Sequence, residues 1–171
     1  ERSTTGRCGI VVPNSVLFDT GVGGKIKADL MSRFNLHTVL RLPNGVFAPY
    51  TIIPSNVLFF EKGHQGPVWF YEIPAPEGRK NYTKTKPMRY EEFADCAAWW
   101  GGRRREGRVE NERAWRVDAA TIRESGHNLD LHNPHRPDDL EHRSPKELVA
   151  ELIETEQELL RLYKDLQREI D

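Results

Sequence analysis

Four short apolar runs constrain this chain more than any other feature of it. They lie at Cys8–Val12, His37–Leu42, Val57–Glu61 and Val68–Ile73, each closed off by nearby glycine, proline or asparagine. Runs of this length with such borders read as β-strands. Between the first and second run, Ile26, Leu30, Met31 and Phe34 recur at the spacing of one helical face within Lys25–Phe34. Gly21, Gly23 and Gly24 precede that stretch and resist helix. The first run has no alternation, which predicts a strand buried on both faces. The polar segment 62–67 between the third and fourth runs predicts a hairpin. The order strand, helix, strand, hairpin places the first 75 residues in the α/β class.

The rest of the chain is organised differently. Prolines and the basic residues Arg79, Lys80, Lys84, Lys86 and Arg89 mark a surface excursion after Pro74. Tyr90–Trp100 predicts a helix with Phe93, Cys96, Ala97 and Trp100 inward, and Trp99-Trp100 reads as packing. Arg103-Arg104-Arg105 lies in a loop followed closely by glutamates and reads as solvated charge. Residues 128–143 predict no regular structure. Ser144, Pro145 and Glu147 then form a capping signature for a long terminal helix. Val149, Leu152, Glu156, Leu159, Tyr163, Leu166 and Ile170 follow a 3–4 alternation along it with one charged interruption, and Leu148, Leu160 and Leu162 widen the apolar surface. Such a helix needs its own domain or a partner to cover it. Three regions result: 1–75, a basic and Pro-rich 76–143 with short helices, and 144–171.

Bulk properties exclude several classes of function. The net charge is −1, so DNA contact must come from local patches rather than from overall charge. No apolar run reaches the length of a membrane span. Cys8 and Cys96 give no disulfide framework and read as small core residues in a reducing compartment. His127, His132, His135 and His142 fit no ligand spacing, so no metal is expected. Gly21-Val22-Gly23-Gly24-Lys25 looks like a phosphate loop, but its spacing is wrong and Ile26 stands where Ser or Thr is needed. The opening residues have no Met, and the stretch reads as part of a longer polypeptide.

Three stretches carry a family resemblance. The first is Gly6-Arg7-Cys8-Gly9-Ile10-Val11-Val12-Pro13-Asn14-Ser15-Val16-Leu17-Phe18. The second and most specific runs from Asn35 through Leu42-Pro43-Asn44-Gly45-Val46-Phe47-Ala48-Pro49-Tyr50-Thr51 to Asn56-Val57-Leu58-Phe59-Phe60. The third comprises Lys84-Thr85-Lys86-Pro87, Trp99-Trp100, Trp115-Arg116-Val117 and Asn128-Leu129-Asp130. In this order they resemble the C-terminal part of the modification subunit of type I restriction–modification systems, a family of N6-adenine DNA methyltransferases.

The resemblance implies the last strands of a Rossmann-like methyltransferase sheet, mostly parallel with one antiparallel strand inserted. It implies methyl transfer from S-adenosylmethionine to adenine in double-stranded DNA, within a complex that includes a DNA-specificity subunit and a restriction subunit, in a bacterial or archaeal cytoplasm. The family's glycine-rich cofactor loop and its Asn/Asp-Pro-Pro-aromatic motif are absent from these residues. Asn133-Pro134-His135-Arg136 lacks the second proline and the aromatic, and reads as a turn. The stretch is therefore expected to be inactive alone, with no catalytic residue of its own. Phe47 is expected to stack on an extruded adenine, the rival reading being a core anchor for its loop. Lys84, Lys86 and Arg89 are candidates for phosphate contact, or else a solvated basic loop. Val149, Leu152, Leu159, Tyr163 and Leu166 are expected to dock on the specificity subunit. Two rivals are a non-enzymatic α/β module that binds a protein through its terminal helix, and a DNA-binding piece that uses the basic loop.

Overall fold

A computed structural model describes residues 6–75, 78, 81–136 and 145–170. Strand β1 (Arg7–Pro13) leads into two helices, α1 (Asn14–Phe18) and α2 (Val22–Arg33). Strands β2 (Asn35–Arg41), β3 (Ser55–Glu61) and β4 (Val68–Glu72) follow. A 3-10 turn at Tyr90–Phe93 runs into α3 (Ala94–Trp99). Then come β5 (Ala114–Val117) and α4 (Ala119–Glu124). The five strands form one mixed sheet in the order β1-β3-β2-β4-β5. β3 is antiparallel to both its neighbours, β2 and β4 are parallel, and β5 is antiparallel to β4. The strand Ala114–Val117 thus ties the segment after the basic excursion into the same sheet.

The expected hairpin of the third and fourth strands does not form. β3 and β4 lie on opposite sides of β2, and the loop 62–67 steps over the start of β2. Six residues easily cover two inter-strand spacings of about 5 Å each. Gln65 fixes the crossing: its amide side chain accepts from the Leu36 N–H (2.9 Å) and donates to the Leu36 carbonyl (2.8 Å). Asn35 Oδ1 accepts from the Gly66 amide at 3.1 Å.

The first strand is also not a buried one. β1 is the edge of the sheet, and Ile10 and Val11 are about half exposed. Cys8 is exposed with them, whereas Cys96 is in the core as expected. An apolar run without alternation says that both faces are apolar, not that this chain covers them.

Helix α2 departs from its reading in a third way. It begins at Val22, so Gly23 and Gly24 lie inside it and are buried, while Ile26 points outward at 61% exposure. The Asp19 carboxylate explains the start, because it accepts from the Gly21 amide (2.7 Å) and the Gly23 amide (2.8 Å). A Cβ at Gly23 would lie 2.6 Å from that carboxylate. The two amide bonds hold the Asp19 pKa below its ordinary value, with help from Lys27. Lys27, 1% exposed, donates to the Leu17 carbonyl, and burial pulls its pKa down.

Two apolar cores lie on the two faces of the sheet. Leu36, Val39, Leu58, Val68, Phe70 and Trp115 meet Met31 and Ile122 of the helices on one. Leu40, Tyr71 and Ala114 meet Cys96 on the other, with Phe59, Trp99 and Trp100 packed around them. The β2–β3 register slips by one residue at His37. The bulge turns His37 toward Phe59 and Trp100, and the next side chain, Thr38, receives a hydrogen bond (2.9 Å) from Arg108, whose guanidinium lies over both Trp99 and Trp100.

Residues 137–171 make a separate unit. Its described part is one helix, α5 (Pro145–Ile170). Ser144 lies outside the described residues, as do Arg79, Lys80 and His142.

Candidate base and DNA contact site

The parallel strands β2 and β4 end level with one another, Arg41 opposite Glu72. Arg41 donates to the Leu131 carbonyl (2.8 Å) and to Asp130, and lies 3.8 Å from Glu72. Asn133 Nδ2 bridges Glu72 (3.1 Å) and the Glu112 carbonyl (2.8 Å). Asn133 Oδ1 also accepts from the His135 amide, so Asn133-Pro134 is a turn. This network holds the irregular segment 128–136 against the carboxyl ends of both strands.

The loop between β2 and β3 rises from the same end. Its roots are closed by Leu42 N–H to Ser55 O (3.0 Å) and Asn14 N–H to Pro54 O (2.9 Å). Leu42 is buried and Val46 packs on the second core, so these residues anchor the loop. Phe47 stands beyond them and is 37% exposed. Tyr50, Ile52 and Ile53 are more exposed still, Tyr50 at 94%. Internal bonds from the Tyr50 and Thr51 amides to the Phe47 carbonyl (3.0 and 3.2 Å) fold the tip into a compact turn.

The basic segment is fastened to this loop. Tyr82 N–H donates to the Asn44 carbonyl at 2.9 Å. Gly45, at φ 77°, lets the backbones approach so closely that a Cβ there would sit 2.2 Å from the Tyr82 carbonyl oxygen. Tyr82 is 2% exposed, and its hydroxyl donates to Glu92. Immediately after it, the Thr83 and Lys86 backbones exchange two hydrogen bonds (3.2 and 3.1 Å), making a tight turn that carries Lys84. Lys84, Lys86 and Arg89 are all exposed. Lys86 and Arg89 border a concavity of about 470 Å³ with Thr85, Pro87 and Glu92. Tyr82 is the residue that sequence reasoning missed. Asn44-Gly45 was legible as turn chemistry, but nothing local announces a partner 37 residues on.

Other candidates fall into structural roles. Arg105 makes a bidentate pair with Glu61 at the end of β3. Arg103 and Arg104 are exposed. The glycine-rich stretch 21–24 does not suit S-adenosylmethionine, since Asp19 already occupies the amides at the helix start. Among the described residues, no cluster of His, Cys, Asp and Glu is placed to hold a metal ion. No described helix is long and apolar enough to cross a membrane. On α5, Val149, Leu152, Leu159 and Tyr163 are exposed, with Ile153, Leu160 and Leu162 beside them. The Leu166 side chain lies outside the described residues.

Comparisons with known proteins agree with one another. A sequence profile of N-6 DNA Methylase matches residues 1–143. The methylase subunit of the type I restriction enzyme EcoEI from Escherichia coli is 46% identical over 164 residues, covering 94% of this chain and 33% of that protein. The chain thus spans about a third of the length of this curated relative. A crystal structure of a modification subunit of a putative type I restriction enzyme from Vibrio vulnificus superposes with a TM-score of 0.70 at 48% identity, over 80% of this chain and 29% of that one. A chain from a structure describing complex assembly and conformational transition of the type I R-M system gives 0.74 at 37% identity, over 98% and 36%. With its five-stranded mixed sheet and these neighbours, the chain belongs to the N-6 DNA methylase family, among the modification subunits of type I restriction–modification systems.

Proposed function

We propose that this chain forms one wall of the target-base pocket in a methyltransferase subunit that transfers a methyl group from S-adenosylmethionine to adenine N6 in double-stranded DNA. The cofactor and the reacting groups would be held by other parts of the polypeptide, around a Rossmann-like sheet of which β1 to β3 are the last strands. Alone, the chain is expected to be inactive. The observation that carries this reading is Phe47, exposed on a loop pinned at its roots, beside the ends of two parallel strands. Open α/β sheets bind ligands at those strand ends. A base extruded from the duplex loses its stacking, and an aromatic face restores about 1–3 kcal/mol of it. Lys84 and Lys86, fastened next to this loop through Tyr82, suit the flanking phosphates, with Arg89 close by in sequence.

The test uses the complete subunit assembled with its specificity subunit, and 2-aminopurine in place of the target adenine. Phe47→Ala is expected to lower the fluorescence rise that reports extrusion, and Phe47→Trp to keep most of it. An unchanged signal in Phe47→Ala would return Phe47 to the role of loop anchor. A second role rests on α5, whose exposed Val149, Leu152, Leu159 and Tyr163 suit docking into a helical groove. Its partner would be the DNA-specificity subunit, in an assembly that also takes the restriction subunit.

A further inference from the structure

Four bulky apolar side chains stand in the open along one short stretch of the β2–β3 loop. Phe47 and Tyr50 are joined there by Ile52 and Ile53, exposed at 70% and 56%. A single exposed apolar residue is ordinary, but a cluster bordered by charge marks a surface that meets a partner. The cluster is built before that partner arrives. The Tyr50 and Thr51 amides close the tip onto the Phe47 carbonyl. Thr51 Oγ1 accepts from the Ile53 amide at 3.0 Å, and the Ser55 hydroxyl donates to the Ile53 carbonyl at 3.3 Å. β-Branched side chains are stiff, so Ile52 and Ile53 present a fixed apolar shape.

The surroundings of the tip select the kind of partner. Lys84 and Lys86 stand on the turn fastened to this loop where Tyr82 N–H meets the Asn44 carbonyl, and Arg89 follows. An apolar tip with cations beside it matches a duplex, whose flat base faces lie between two rows of phosphate. The turn also limits what the tip can reach. Phe47 and Tyr50 begin and end a hydrogen-bonded turn, so their Cα atoms lie within about 7 Å of one another. A base that leaves the stack opens its gap beside its own backbone. A side chain next to the one that receives the base is therefore placed at that gap.

Resting on the reading of Phe47 as the ring that receives the extruded adenine, we propose that Tyr50 is a wedge for the DNA stack. Its ring enters the space the adenine leaves, and Ile52 and Ile53 lie along the sugar edges beside it. Apolar wedges offset the unstacking of neighbouring bases. This one also keeps the orphaned thymine from drawing the adenine back. Tyr50 is thus a positioning residue, acting on the duplex and not on the reacting atoms.

The complete subunit, assembled with its specificity subunit, is mixed with a duplex carrying 2-aminopurine at the target adenine. Tyr50→Ala is expected to lower the extruded fraction at least about fivefold, the size of one lost base–aromatic stack. Tyr50→Phe is expected to keep most of it. On a duplex with no base opposite the target, the Tyr50→Ala loss is expected to shrink while the Phe47→Ala loss persists. With 5-iodouracil in place of the thymine opposite the target adenine, irradiation is expected to join it to Tyr50, as read by mass spectrometry of the peptide. An unchanged extrusion signal in Tyr50→Ala beside a lowered one in Phe47→Ala overturns the proposal and leaves the role of Phe47 standing. An unchanged signal in both variants removes the two together. Equal Tyr50→Ala losses on the paired and abasic duplexes, or no crosslink at Tyr50, also overturn the proposal. A melting temperature of the DNA-free subunit lowered by Ile52→Ala would then put the tip under another part of the polypeptide.

Discussion

His37 shows how one register slip creates a pH response. The bulge buries its ring at 7% exposure among Phe59 and Trp100. Burial first, and then the Arg105 and Arg108 guanidinium groups, lower its pKa from 6.5 to about 4, against an opposing pull from Glu61. The native state therefore favours the neutral ring, while the unfolded chain takes up a proton first as pH falls. The stability this contributes is complete above pH 6.5 and is lost between there and about pH 4. The loss amounts to about 3 kcal/mol. Urea unfolding of His37→Phe is expected to lack that portion of the acid slope, and an unaltered slope would assign it to other groups. At Gly45 the sign is simpler. Gly45→Ala meets the Tyr82 carbonyl and a left-handed φ at once. It is expected to lower stability by more than about 1 kcal/mol, the backbone cost alone, and to weaken DNA binding, because both Phe47 and the basic turn lean on this contact. Denaturation midpoints and a gel-shift series check the two effects.

Elements differ in how far the sequence announces them. β2 to β4 were legible because apolar runs with Gly, Pro and Asn borders have few other outcomes. Their pairing was not, since the order β3-β2-β4 depends on Gln65 reaching Leu36, 29 residues back. On α2, Leu30 and Met31 reach the core as expected but Ile26 does not, because a buried lysine and two buried glycines, which carry no apolar signal, share the inward face. Phe47 could be singled out from its string, but its exposure depends on Leu42 and Val46 taking the inward positions. The basic turn gives a prediction at this scale. Lys84→Ala with Lys86→Ala is expected to weaken DNA binding evenly across sequences and to lower the salt slope by about 2. An unchanged slope would leave the turn as ordinary solvated charge. For α5, Leu152→Glu with Leu159→Glu is expected to abolish copurification with the specificity subunit while the helix content by circular dichroism stays the same. Retained copurification would remove docking through these residues.

For the whole molecule, the edge position of β1 matters most. Among the described residues it pairs only with β3, and it shows Ile10 and Val11 to solvent along that side. Unpaired, apolar strand edges recruit further strands. The chain expressed by itself is expected to associate with rising concentration in sedimentation, and Ile10→Lys with Val11→Lys to suppress this. A chain that stays monomeric without those changes would mean the edge is blunted in another way.

The antiparallel strand at the heart of this sheet also sets an order in time. β1 and β2 leave the ribosome before β3, yet β3 lies between them. They must therefore wait apart until residues 55–61 arrive to fill the gap. The loop closures at Ser55 and Pro54 cannot exist earlier than that arrival. Phe47, translated well before, thus acquires its final surroundings among the later events of folding. In pulse-labelling during refolding, the Leu42 amide should gain protection no sooner than the amides of β3.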